Sequence, residues 1–223
     1  MSAHPRPPTA AAPAGGISVF PVGLRLSGRA VLVVGAGRIA ARKAAALAEQ
    51  GALLTVVAPQ HSEAMDAVDV ARRLHREFLP RDLDGKWFVT TATGRPEVDG
   101  AVFRAASQRR VWCNAADDPE HCSTVLPATA RRGDLTISVS SGARSPATAS
   151  WMRRRVEAML DDGTLEVFEA AARVRGRLRS AGLPTEVSGW AEVLDEHALE
   201  LVASGHTGAL EDLLERRVGV ASR

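Results

Sequence analysis

The stretch Cys113-Asn114-Ala115-Ala116-Asp117-Asp118-Pro119-Glu120-His121-Cys122 holds two thiols, an imidazole and three carboxylates. Such types can ligate a metal or move a proton. The two cysteines are the chain's only ones, they lie nine positions apart, and no C-x-x-C pair is present. A closed zinc site needs four ligands, so no metal centre is expected here. Cys113 alternates with Val111 and Ala115 as a small core residue on a strand would. The remaining chemistry is that of a carboxylate. Asp117 or Asp118 could act as a general base or acid, or the Asp-Asp-Pro run could simply form a turn. Residue types alone leave that choice open.

A second constellation lies upstream. Gly35-Ala36-Gly37-Arg38-Ile39-Ala40 follows the apolar run 30–34 and opens an alanine-rich helical stretch. The first glycine permits a tight turn, the second lets backbone approach a pyrophosphate, and the small third residue lets helix and strand pack closely. The helix start would offer free N–H groups to phosphate. The β-branched run Leu54–Val57 and Pro59 follow, completing a β-α-β unit. This context supports dinucleotide binding more than the hexapeptide alone does. No carboxylate follows the second strand, where Thr55-Val56-Val57-Ala58-Pro59-Gln60 stands. A ribose must then be held by backbone, by Gln60 or by later loops. No basic cluster sits there to grip a 2′-phosphate, which favours NAD. Thr90-Thr91-Ala92-Thr93 ends another apolar run, and Thr91 and Ala92 are candidates for close backbone contact with the cofactor. Ser140-Ser141-Gly142 ends a later one, with Arg144 beyond it, and could cradle ligand carboxylates.

The elements that must position these residues read as follows. Segment 87–93 is a strand, 96–110 a helix and 111–117 a further strand. Thr124–Ala130 and Leu135–Ser140 form a hairpin-like pair. Ser145 caps a helix with Pro146 at its first position. The rest is helical, broken at 180–189. The expected fold is α/β: a Rossmann-like parallel-sheet domain (17–116), a small α+β dimerisation and active-site region (117–150) and a helical domain (151–223). Residues 1–16, rich in Pro, Ala and Gly, read as a disordered tail.

Composition bounds the partners. The 223 residues are 45% hydrophobic, with no Tyr and net charge +2. Residues 100–155 carry nine Arg against four acids, whereas 156–223 carry seven against thirteen. An anionic ligand is drawn to the middle segment. The acidic helical end disfavours nucleic acid, which also weakens the alternative of a nicotinamide-sensing regulator. No apolar run reaches the ~20 residues of a membrane helix, and no secretory signal opens the chain. The reduced cysteines fit a cytoplasmic setting.

The order FPVGLRLSGRAVLVVGAGRIAARKA, LTVVAP, then VWCNAADDPEHCSTVLPATARRGDLTISVSSGARSPATASWMRRRVEAML resembles the precorrin-2 dehydrogenase and sirohydrochlorin ferrochelatase family, the N-terminal module of siroheme synthases. The resemblance runs from about Phe20 to Leu160, more weakly to 218. It rests on N-x-x-D, the following P-A-x-x-x-R stretch and the V-S-S-G turn. It implies NAD-dependent dehydrogenation of precorrin-2 to sirohydrochlorin, with Fe²⁺ insertion into the product a second activity of some members. It implies Asp117, rather than Asp118, as the catalytic residue. Gly35, Gly37, Arg38, Ile39, Pro59 and Gln60 fall on the family's cofactor contacts. Ser141 falls near the family's tetrapyrrole site, and Asn114, Ser140, Gly142 and Arg144 are taken with it as substrate-binding candidates. The family forms interleaved homodimers. Two departures stand out: Ala115-Ala116 is smaller than usual, and Ala143 replaces a common glycine and is penalised if that position has a positive φ. The chain also lacks a second, methylase domain, so it is not expected to make precorrin-2 itself.

Overall fold

The computed structural model describes residues 16–186 and 188–218; the tail expected over 1–16 lies outside them except for Gly16. The chain folds as two units. Among the described residues the first comprises 16–126 with 142–144, the second 127–141 with 145–186 and 188–218.

In the first unit the apolar runs become strands β1 (Ala30–Val34), β2 (Leu53–Val57), β3 (Arg72–Leu74), β4 (Phe88–Thr91) and β5 (Trp112–Ala115). All pair in parallel, in the order β3-β2-β1-β4-β5. The helices are α1 (Arg38–Ala48), the short α2 (Glu63–Asp66) and α3 (Pro96–Gln108). A parallel sheet is covered on both faces, and two apolar clusters do this. Val31, Val33, Leu54, Val56 and Phe88 pack against Ala40, Ala41, Ala44 and Leu47 of α1. Leu32, Val34, Val57, Val89 and Cys113 pack against Val102, Ala105 and Ala106 of α3. The alanines of α1 let its axis approach the sheet closely. Segment 62–79 supplies one helical turn, α2, and the edge strand β3.

The second unit starts with an antiparallel hairpin, β6 (Ala128–Arg132) and β7 (Leu135–Val139). Four helices follow: α4 (Pro146–Met159), α5 (Leu165–Ser180), α6 (Glu196–Ala203) and α7 (Thr207–Val218). Ser145 caps α4 by accepting from the Thr148 N–H at 3.2 Å. A break between α4 and α5, which periodicity did not show, falls where Gly163 has φ 88°. Ala170, Val174, Leu178, Ala198, Leu210 and Leu214 form this unit's core. Arg173 and Arg177 of α5 pair with Glu211 and Glu215 of α7. Surface pairs of this kind contribute little each, so the aliphatic core dominates. Among the described residues no helix is long and apolar enough to cross a membrane.

Phe88 is 1% exposed at the centre of the α1-side cluster. Phe88→Ala should lower the unfolding free energy of the first unit by about 3–5 kcal/mol, read from urea titration of the full chain. A loss below about 1 kcal/mol would contradict that placement.

Candidate functional site

Register sets where the candidate residues lie. Val34 pairs with Val57 on one side and with Thr91 on the other, and Thr91 pairs with Ala115. The strands therefore end level, and the ladder extends one residue further. Gly35 N–H donates to Val57 O, Ala92 N–H to Val34 O and Ala116 N–H to Thr91 O, each at 2.9 Å. The loops after β2, β1, β4 and β5 stand in one row. With β1 and β4 adjacent, the topological switch point lies between them, where open α/β sheets bind ligands.

Gly35 has φ 101°, and a Cβ there would sit 2.5 Å from Ala92 O. The turn after β1 and the loop after β4 touch, and only glycine fits. Gly37 has an ordinary φ of −77°, and a Cβ on it would meet nothing within 4 Å. It faces open space. The N–H groups of Arg38, Ile39 and Ala40 have no intrahelical acceptor, α1 has no side-chain cap, and no acid occupies its first turn. This uncapped start, with Arg38 and Ile39 exposed, fits a phosphate-bearing ligand. Pro59 and Gln60 are exposed beside it. Ser62, which sequence reasoning passed over, fastens the two: its N–H and its hydroxyl donate to Ala36 O at 3.1 and 2.7 Å.

The loop after β4 is held from below. Asp99 of α3 is 6% exposed and accepts from the Thr91 hydroxyl and, at 2.8 Å, from the Thr93 hydroxyl. The Thr91 side chain is therefore turned inward, and its carbonyl carries the contact to Ala116. Ala92 presents its backbone against Gly35.

At the end of β5 the opening decapeptide separates into roles. Burial pushes the Cys113 thiol up to about 12, so it is an inert core residue. The Cys122 thiol donates to Ala115 O at 3.2 Å and accepts from Ala115 N–H at 3.1 Å, and burial raises its pKa too. Among the described residues no three His, Cys, Asp or Glu converge as metal ligands. Asp118 is engaged with the His121 ring at 2.6 Å, which holds its carboxyl below the usual range. Asp117 is exposed, sits at φ 58° and has no hydrogen-bond partner among the described residues. The geometry thus separates two acids that residue type could not. Asn114 is 6% exposed, and its carboxamide is occupied within the protein. It accepts from Lys43 Nζ at 2.8 Å and donates to Thr124 O at 3.0 Å. Lys43, on α1, also escaped the sequence reading.

Ser140 and Ser141 belong to the second unit, Gly142 and Arg144 to the first. Ser141 Oγ accepts from Ser145 N–H at 3.1 Å, which orders the entry to α4. Gly142 and Ala143 have φ 60° and 63°. Position 143 is left-handed, and Ala143, a non-glycine residue, bears that strain. Gly142 O accepts from Ile17 N–H at 2.9 Å, and the Arg144 side chain lies against Gly16.

The sheet order and glycine turn define a doubly wound domain of the dinucleotide-binding class. Residues 22–128 match a family described as putative NAD(P)-binding. The chain is 34% identical over 202 residues to siroheme synthase 3 of Aeromonas hydrophila, covering 88% of this chain and 43% of that protein. It is likewise 34% identical over 204 residues to siroheme synthase of Photorhabdus laumondii, covering 89% and 43%. A solved structure named SirC, precorrin-2 dehydrogenase, shares the fold with TM-score 0.65 and 23% identity, covering 89% of this chain and all of that one. The chain is thus similar to siroheme synthases over most of its own length, and it spans less than half the length of those relatives.

The two glycines should respond differently. Gly35→Ala, with its positive φ and carbonyl clash, should cost at least about 1–3 kcal/mol of stability. Gly37→Ala should leave stability within about 0.5 kcal/mol and weaken NAD⁺ binding, both followed by calorimetry. Equal stabilities for the two variants would contradict the contact with Ala92.

Proposed function

We propose that this chain catalyses NAD-dependent dehydrogenation of precorrin-2 to sirohydrochlorin. The observation that carries the reading is Asp117: an exposed carboxylate, unpaired among the described residues, on the turn after β5, in the same row as the uncapped start of α1. The relatives' names and the family match support the reaction class. NAD, when bound, supplies the hydride acceptor. Gly35, Gly37, Arg38 and Ile39 would hold its pyrophosphate, with Pro59, Gln60 and the Thr91–Ala92 backbone beside the rest.

Oxidation of one saturated carbon pair removes a hydride and a proton. NAD would supply the acceptor for the hydride, and the Asp117 carboxylate would take the proton. The exposure of Asp117 lets the acquired proton leave to solvent. Ser140, Ser141, Gly142 and Arg144 are assigned to the polycarboxylate substrate, drawn by the basic middle segment. Asn114 acts through the Asp117 turn. The reading includes a homodimer built through residues 117–150, between the cofactor domain (17–116) and the helical domain (151–223), in the cytoplasm. Fe²⁺ as a second substrate is decided by anaerobic incubation with sirohydrochlorin: a siroheme spectrum no faster than without protein removes it.

The main test mixes precorrin-2 with NAD⁺ under anaerobic conditions. The wild type should form NADH, and Asp117→Asn should be slower by at least roughly 10²-fold, as for loss of a general base. Unchanged turnover in the variant would reject the role of Asp117, and no turnover by the wild type would reject the function.

A further inference from the structure

Lys43 projects from α1, the helix whose start faces the cofactor, yet it binds at the other side of the site. Its ammonium donates to Asn114 Oδ1 at 2.8 Å. Asn114 is the third residue of β5 and lies next to Thr90 of β4 in register. Parallel neighbours in register share a face, so Asn114 and Thr90 both point to the α1 side. Thr90 is 0% exposed, and its hydroxyl has no partner among the described residues. The other end of the Asn114 carboxamide donates to Thr124 O, and Thr124 N–H and Oγ1 return to Cys113 O at 3.0 and 3.1 Å. This chain of bonds closes the loop 116–123 on itself from α1. Asp117 sits on that loop in a left-handed conformation that a non-glycine residue resists. Something must hold it there. The Ala116 N–H bond to Thr91 O fixes the residue before it, and the Lys43–Asn114 bond fixes the strand end beneath.

We infer that Lys43 is a positioning residue: by gripping Asn114 it locks the end of β5, and with it the turn that carries Asp117, to the helix that receives the cofactor. The kinetic side of this inference rests on the proposed function; the structural side does not. The grip depends on charge. Burial lowers the Lys43 pKa below the ordinary lysine value; the fields of Cys122 and Asp117 oppose that shift, and Arg42 adds to it. As pH rises through that lowered value the ammonium is lost. The bond to Asn114 then loses its charge assistance, and the turn loosens.

The test uses the full chain with Lys43→Met, Lys43→Gln and Lys43→Arg. Backbone hydrogen exchange is measured over 112–117, with 54–57 as an internal reference. Lys43→Met should speed exchange at 114–117 by about tenfold or more, the scale of one lost charge-assisted bond, with 54–57 unchanged. Lys43→Gln, which keeps a shorter donor, should fall between. Lys43→Arg should restore protection. In the precorrin-2 assay Lys43→Met should lower kcat by about tenfold or more, with NAD⁺ affinity within about threefold. The wild type should lose kcat/KM on the alkaline side, and Lys43→Arg should carry that loss to higher pH. Unchanged exchange at 114–117 in both Lys43→Met and Lys43→Gln overturns the inference, whatever the activities. Faster exchange with wild-type kcat, or an alkaline limb that stays in place in Lys43→Arg, also overturns it. If the wild type forms no NADH but exchange responds as stated, the functional reading fails and the positioning role stands.

Discussion

Val57, Val34, Thr91 and Ala115 lie side by side at the carboxyl end of the sheet, and the hydrogen-bond ladder runs one residue past them. That level ending is the constraint on which the site depends. A parallel sheet sends every loop at this end to the same edge. Here the ladder bonds of Gly35, Ala92 and Ala116 fix the first residue of three of those loops. The loops can then carry unlike tasks without drifting apart. One offers bare N–H groups, one a flat backbone surface and one a carboxylate.

Close approach tightens the row. The turn after β1 meets the loop after β4 across a gap that no Cβ could enter at Gly35. Ser62 ties the same turn to the segment after β2. Asp99 gathers the Thr91 and Thr93 hydroxyls beneath the loop after β4. Buried polar groups are costly unless bonded, and here the Ser62 bonds tie two loops together while the Asp99 bonds tie α3 to the end of β4 and its loop. The second unit has its own aliphatic core; its hairpin and α4 carry Arg131, Arg132 and Arg153–Arg155, and its acids are concentrated in the later helices.

Much of the first unit was legible in sequence because its signals are local. Continuous apolar runs gave β1, β2 and β4 within a residue or two, and a glycine turn followed by alanines gave α1. Ser145-Pro146 marked the start of α4. Lys43, Ser62 and Asp99 were not legible. Their partners stand 71, 26 and 8 positions away, and pattern along one helix or loop does not reveal what lies across a sheet. For the same reason Asp117 and Asp118 could not be told apart by type: the difference is that His121 occupies one of them. The Asn114 side chain reads as a ligand contact by its place in N-x-x-D, whereas the fold spends it on Lys43 and Thr124. The strain at Ala143 is legible only as a conditional, a penalty if the turn needs a positive φ, and its φ of 63° meets that condition.

The most direct measurement is a crystal structure of the full chain with NAD⁺ bound. The expected result has the pyrophosphate on the N–H groups at the start of α1 and the nicotinamide beside the turn of Ala115–Asp117, on the side of the Asp117 carboxylate. A pyrophosphate bound away from Gly37, or a nicotinamide out of reach of Asp117, would contradict the idea that one row of loops forms one active site.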